Sequence, residues 1–247
     1  MVFLFRKPPP ADQFEVATAS GVVAVKLRRH PNARNYTLRL KSATGAPVLT
    51  IPSRGSLREA RKFLDRHAGW LLREMDKQPK AQPIADGTVI PFRGVPHRVR
   101  HARLRRGTVT AETIDGVATL VVAGDHAHLR RRVLDFLKRE ARRELEPLVR
   151  RHADTLGVKA TAIRLRDQTS RWGSCTINGH LSFSWRLIMA PPYVLDYLAA
   201  HEVAHLREMN HSRRFWRVVE ALCPHMRQAR AWLNAEGARL HAIGAED

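Results

Sequence analysis

Apolar positions along this chain keep two different rhythms. Residues 22–27, 36–40 and 48–51 alternate with polar ones or run as short β-branched stretches. Pro31 and Asn32, and then residues 44–47, punctuate them as turns, so the pattern predicts three strands in a β-meander. After Ser56 the period lengthens. Ala60, Phe63, Leu64, Ala68 and Leu71 recur at helical steps, predicting a helix to about Met75 with Ser56 as N-cap, Glu59 as its capping-box partner and Trp70 packed inward. A polar loop at 77–86 leads to further strand-like runs at 88–90, 97–99, 109–111 and 118–122.

Helical spacing returns near His126, where Leu129, Val133, Leu134, Leu137, Ala141 and Leu145 line one side of a long basic helix. The change of rhythm places a domain boundary at Gly124 and Asp125. Residues 1–125 then form a β-rich N-terminal domain and 126–247 a second domain, an α+β chain overall. Within the second domain a strand at 162–166 precedes the loop Arg171-Trp172-Gly173-Ser174-Cys175, and Asn178-Gly179 signals a hairpin into a strand at 180–183. Pro191 and Pro192 open the next helix, where the missing N–H of proline costs nothing.

Composition narrows the setting. The 247 residues are 44% hydrophobic, enough for a core, and no apolar run reaches the roughly 20 residues that cross a bilayer. The opening residues 1–5 are too short for a signal sequence and have no basic flank before them, so a soluble, cytoplasmic protein without membrane contact is expected. Two cysteines, Cys175 and Cys223, rule out a disulfide framework and read as reduced thiols. The net charge of +20, carried mostly by arginine, is the outlier and raises contact with nucleic acid or another polyanion as a second class of function. Arginines and histidines between 93 and 106 fit the solvated face of a β-hairpin as well as a phosphate-binding strip.

The helix after Pro192 carries His201-Glu202-Val203-Ala204-His205. Residues four apart share a helix face, so both imidazoles can meet one ion while Glu202 reaches a metal-bound water as general base. Val194 and Leu198 continue the same stripe, which would bury the histidines unless a cation compensates them. A catalytic zinc needs a third protein ligand. His211 is the first candidate, with Glu208 and His225 as alternatives. Six residues of continuing helix turn about 600°, which carries His211 off the metal face, so the helix must end first. Asn210 is expected to turn the chain in the left-handed conformation, and Ser212 to cap the next helix. His225, Arg171 and Tyr193 are candidate donors to a developing oxyanion.

Taken together, the Arg171-to-Cys175 loop, Leu181-Ser182-Phe183-Ser184-Trp185-Arg186-Leu187 with the following prolines, and the histidine motif continuing through Asn210-His211-Ser212 to Phe215-Trp216 resemble the YgjP-like metallopeptidases, relatives of the SprT-like and WLM proteases. The resemblance implies a zincin-like C-terminal domain of helices and a small sheet, Zn2+ on His201, His205 and His211, and Glu202 activating water for hydrolysis of a peptide or protein substrate. It also implies that an extended substrate pairs with an edge strand, expected at 180–184. The histidine spacing is similar to the metzincin pattern too, but Glu208 stands where that pattern has glycine.

The nucleic-acid reading has its own test. If the positive charge recruits DNA, binding should weaken steeply as salt rises, and absence of binding at low ionic strength removes this reading.

Overall fold

Val25 and Leu27 are buried while Lys26 and Arg28 between and beyond them are exposed, the mark of a sheet with one wet face. A computed structural model describes residues 13–18, 21–40, 45–77, 79–102, 107–168 and 171–245. The opening residues 1–5, part of the turn at 44–47 and the end of the 93–106 segment lie outside them. The described residues form a mixed α+β fold of five α-helices and three small sheets, in two compact units, Met1–Pro79 and Lys80–Asp247.

In the first unit β1 (Gln13–Thr18), β2 (Gly21–His30), β3 (Thr37–Leu40) and β4 (Pro47–Pro52) form one sheet in the order β1-β2-β4-β3. Because β2 and β4 run parallel, this is not the expected meander. Burial explains the difference. In β4, Pro47, Leu49 and Ile51 face inward and the residues between are half-buried, so it takes the central place, whereas β3 buries only Leu38 and stays at the edge. Helix α1 (Leu57–Asp76) covers the sheet with Ala60, Leu64 and Leu71, and the Ser56 hydroxyl accepts a bond from the Arg58 N–H at 3.2 Å. Glu59 pairs with Lys62 at 3.6 Å. Trp70 does not pack inward: it is 39% exposed, because six residues past Leu64 it lies about 120° round the helix from the buried face.

The second unit begins earlier than the expected boundary at Gly124 and Asp125. Strands β5 (Val89–Phe92), β6 (Val95–Ala102), β7 (Val109–Ile114) and β8 (Val117–Ala123) pair in the order β5-β6-β8-β7. Their inward residues Ile90, Phe92, Val99, Leu120 and Val122 share one core with Val133 and Leu137 of α2 (Leu129–Leu156). The apolar stripe of that helix is therefore satisfied by strands that sequence rhythm had assigned to another domain. The turn between β5 and β6 also docks on later chain. Arg93 and Gly94 are left-handed, with φ of 54° and 77°, and their N–H groups donate to Ile188 O at 2.8 Å and Met189 O at 3.1 Å. A Cβ on Gly94 would stand 2.9 Å from Pro191 Cγ, so the approach requires glycine.

Three short strands, β9 (Ala162–Arg166), β10 (Gly173–Cys175) and β11 (His180–Ser184), make the remaining sheet in the order β10-β11-β9. The Asn178-Gly179 hairpin joins β11 to β10, which lies inside the segment expected to be a loop, while β9 pairs with β11 in parallel. Strand β11 is therefore the middle strand, not an edge. Its inward residues Leu181 and Phe183 and the short 3-10 turn Trp185–Met189 feed the chain into α3 (Pro192–Ala204), followed by α4 (Arg213–Leu222) and α5 (Met226–Ala242). No helix among the described residues is long and apolar enough to cross a membrane.

Arg186 fastens this end of the fold. It is 5% exposed and spreads over Trp185 at 4.6 Å. Its Nη1 donates to Leu240 O at 2.9 Å and also to Ile243 O, while its Nε reaches Asp167 Oδ1 at 2.8 Å. Replacing it strands two buried carbonyls. Arg186→Met is expected to cost about 2–4 kcal/mol in urea unfolding, at the lower end because Asp167 is half-exposed, and Arg186→Lys should not restore it because an ammonium cannot reproduce the guanidinium fork.

Candidate metal centre

Helix α3 buries almost every residue it has, including Val194, Leu195, Leu198, Ala199, Ala200 and Val203. It packs against α2, α4, α5 and β10, which leaves little of it to carry polar groups into water. His201 and Glu202 nevertheless belong to it, and His205 is its C-cap. The structure brings His201, His205 and His211 together, with one ring nitrogen from each lying within 4.8 Å of the others.

His211 arrives by a different route from the one expected. The regular helix ends at Ala204, with His205 as C-cap in right-handed backbone conformation. Tighter turns follow, as Leu206 N–H donates to Val203 O at 2.9 Å and Arg207 N–H to Ala204 O at 3.1 Å. Asn210 is not left-handed: among the described residues only Arg93 and Asp115 are non-glycine residues with positive φ. The early stop does the work assigned to Asn210. Ser212 then caps α4, its hydroxyl accepting from Phe215 N–H at 3.3 Å.

Each ring is oriented from behind. His205 Nδ1 lies 3.1 Å from Glu208 O, and since a carbonyl only accepts, the ring proton sits on Nδ1 and Nε2 keeps its lone pair. The Tyr197 hydroxyl is 3.3 Å from His201 Nδ1, one helical turn away on the same face. The Nε2 atoms of His201 and His211 are 3.2 Å apart. Phe215, fully buried, lies under all three, with ring centroids 4.9 Å from His201, 4.4 Å from His205 and 4.8 Å from His211. Trp216 stacks on His211 at 5.7 Å, and the Arg230 guanidinium lies over Trp216 at 4.4 Å.

Electrostatics favour the neutral form of His201 and His205. Burial pushes His201 down to about 3, helped by His205, His211 and Arg230, and burial likewise lowers His205. Glu202 moves the other way: burial pushes it up to about 8, with the Arg171 charge pulling it back. Its Oε2 is buried and has no hydrogen-bond partner among the described residues. Converging imidazoles that share a cleft with an orphaned carboxylate oxygen are a poor arrangement in isolation and a good one around a cation, which stabilises both. The three nitrogens therefore fit a divalent metal, with Glu202 lining the same cleft.

Glu202 is held there by close contact with β10. A Cβ on Gly173 would lie 2.7 Å from Glu202 Cδ, so only glycine admits the carboxylate. Trp172 beside it stacks on His241 of α5 at 4.3 Å. Arg171, Trp172, Gly173, Ser174 and Cys175 line a cleft of about 510 Å³ together with the histidines, Tyr197, Met209, Arg230 and Asn234. Cys175 is no nucleophile in this setting, because burial and then Glu202 push its thiol up to about 11.

Sequence reading missed Gly173, Tyr197, Phe215 and Arg230 as parts of the site. Only Tyr197 carried a signal for it, standing four residues before His201. The alternatives for the third ligand fall away on geometry. Glu208 meets His205 through its backbone, and His225 lies with Tyr193 in another cluster, its Nε2 3.3 Å from Asp196 Oδ2. Neither His225 nor Tyr193 lines the cleft, so of the oxyanion candidates only Arg171 does. Asp196, Cys223 and His225 also converge, but Asp196 is already paired with Arg151 and, at 2.7 Å, with His152. Burial raises Asp196, and these partners outweigh it, leaving the carboxyl lowered and compensated.

A family profile described as "YgjP-like, metallopeptidase domain" matches residues 34–236. Among solved structures, the metallopeptidase zymogen abylysin of Pyrococcus abyssi shares 23% identity, covering 36% of this chain and 93% of its own, with a TM-score of 0.34, a likeness too slight to define a fold. No curated protein matches the chain.

If the three imidazoles hold the metal, purified protein should carry about one zinc per chain. His201→Ala and His205→Ala should lose it and His225→Ala should keep it, as read by elemental analysis after dialysis. Equal metal content in all three variants would remove the assignment.

Proposed function

The chain belongs to the YgjP-like metallopeptidase family, and on that premise we propose that it is a zinc peptidase with a zincin-like catalytic unit. His201, His205 and His211 hold the ion and Glu202 is the general base. The observation that carries this reading is the unpartnered, buried Glu202 Oε2 beside three converging imidazoles. Zinc held there supplies Lewis-acid polarisation of a carbonyl and makes water easier to deprotonate.

The protein's own groups supply the remaining steps. Glu202 takes the proton of the attacking water on its free oxygen and returns it to the leaving amine. Its raised proton affinity suits both transfers, and the added charge of a cation favours the ionised form that must act first. Arg171, exposed at the cleft wall, donates to the oxygen that gains charge as water adds to the carbonyl. Tyr197 stays protonated, since burial pushes it up to about 12, with Arg230 pulling the other way, and it fixes the His201 ring.

The substrate backbone has one suitable partner. Strand β10 is the edge of its sheet and its residues line the cleft, so an extended peptide adds to β10 antiparallel or parallel and presents its carbonyl toward Glu202. This replaces β11 as the pairing strand, because β11 already has a neighbour on each side.

Glu202→Gln should lower kcat on a peptide substrate roughly 10²–10⁴-fold while zinc content stays unchanged. Gly173→Ala, which crowds the same carboxylate without touching a metal ligand, should lower kcat with KM and zinc content little altered. Wild-type activity in Glu202→Gln would overturn the role of Glu202.

A further inference from the structure

Charge in the cleft is one-sided. Glu202 is the single carboxylate among its lining residues, and it is buried against Gly173. Arg230 and Asn234 stand one turn apart on α5, both exposed and both lining the cleft. Their neighbours show what is unusual about Arg230. Arg227, one turn earlier, pairs with Glu220 at 3.4 Å, and Arg239 near the end of the helix pairs with Glu236 at 2.9 Å. Arg230 makes no ion pair with a carboxylate among the described residues. It is steadied instead by the face of Trp216, the same ring that stacks on His211.

An arginine held by an aromatic face keeps its N–H groups available, and a guanidinium presents them in the planar fork that matches a carboxylate. Asn234 adds a side-chain amide donor on the same face of the helix. Met209 and Leu233 supply apolar surface around the pair, which strengthens a charged contact by excluding water.

Resting on the peptidase reading above, we propose that Arg230, assisted by Asn234, makes this site selective for peptides with a carboxylate close to the scissile bond. The carboxylate is that of an Asp or Glu side chain or of the peptide's own C-terminus. A basic residue at the same place meets like charge and is disfavoured.

The test uses the zinc-loaded full chain and two random peptide pools, one with blocked C-termini and one with free C-termini, with cleaved bonds read by mass spectrometry. Asp and Glu should be enriched over Asn and Gln about ten-fold at one position beside the cut bond, as expected for a charge-assisted contact. The enrichment should vanish in Arg230→Gln and persist in part in Arg230→Lys. Enrichment confined to bonds near the end of the free pool assigns the carboxylate to the C-terminus, and enrichment in the blocked pool assigns it to a side chain. A flat profile, or one unchanged in Arg230→Gln, overturns the proposal while leaving the peptidase reading intact. Retention of the same pools on immobilised, zinc-loaded Glu202→Gln protein decides the question without turnover. Acidic peptides should be retained about ten-fold better than their amide counterparts, and less so when Arg230→Gln is added. Equal retention rejects the selectivity, whereas selective retention with no cleavage by wild type rejects only the peptidase reading.

Discussion

A helix buried on every side cannot carry two histidines and a glutamate unless something inside the protein satisfies them, and that constraint organises the second unit. Helix α3 runs through the core against α2, α4, α5 and β10. Its histidine and glutamate are gathered at its C-terminal end, where the chain leaves regular geometry and the cleft lies. Phe215 is the apolar counterpart. One phenyl ring underlies all three imidazoles, so the rings are fixed by packing as well as by hydrogen bonds.

The same burial explains the electrostatics. A solvated imidazole competes for protons near neutrality, whereas the desolvated ring of His201 stays neutral far into the acid range. Desolvation acts in the opposite sense on Glu202, raising its proton affinity. One environment therefore prepares nitrogen donors that need no deprotonation and a carboxylate that holds a proton more readily than a solvated one.

How much of this was legible in the sequence depends on the range of the interaction involved. Local rules worked where the cause is local. The four-residue step put His201 and His205 on one face, the prolines opened α3, and Ser56 and Ser212 capped their helices. Where the outcome depends on partners distant in the chain, periodicity carried too little. The place of β4 between β2 and β3, the membership of β5 to β8 in the second unit and the inner position of β11 are settled by which faces find cover. The role of Gly173 was invisible for the same reason, since the side chain it makes room for is 29 residues away. Asn210 shows a subtler miss. The need for the helix to stop was read correctly, but a C-terminus can unwind through tighter right-handed turns as well as through a left-handed residue.

The Arg93-Gly94 turn bears on how this protein can be divided. Its two N–H groups satisfy the carbonyls of Ile188 and Met189, at the approach to α3, and its glycine lies against Pro191. Ile90, Phe92 and Val99 of the strands on either side of it share a core with α2. Division therefore follows contact and not rhythm: the compact unit that contains the helix carrying the histidines together with its cover starts at Lys80. A piece begun at His126 would hold every residue of the centre and lack the scaffold that aims it.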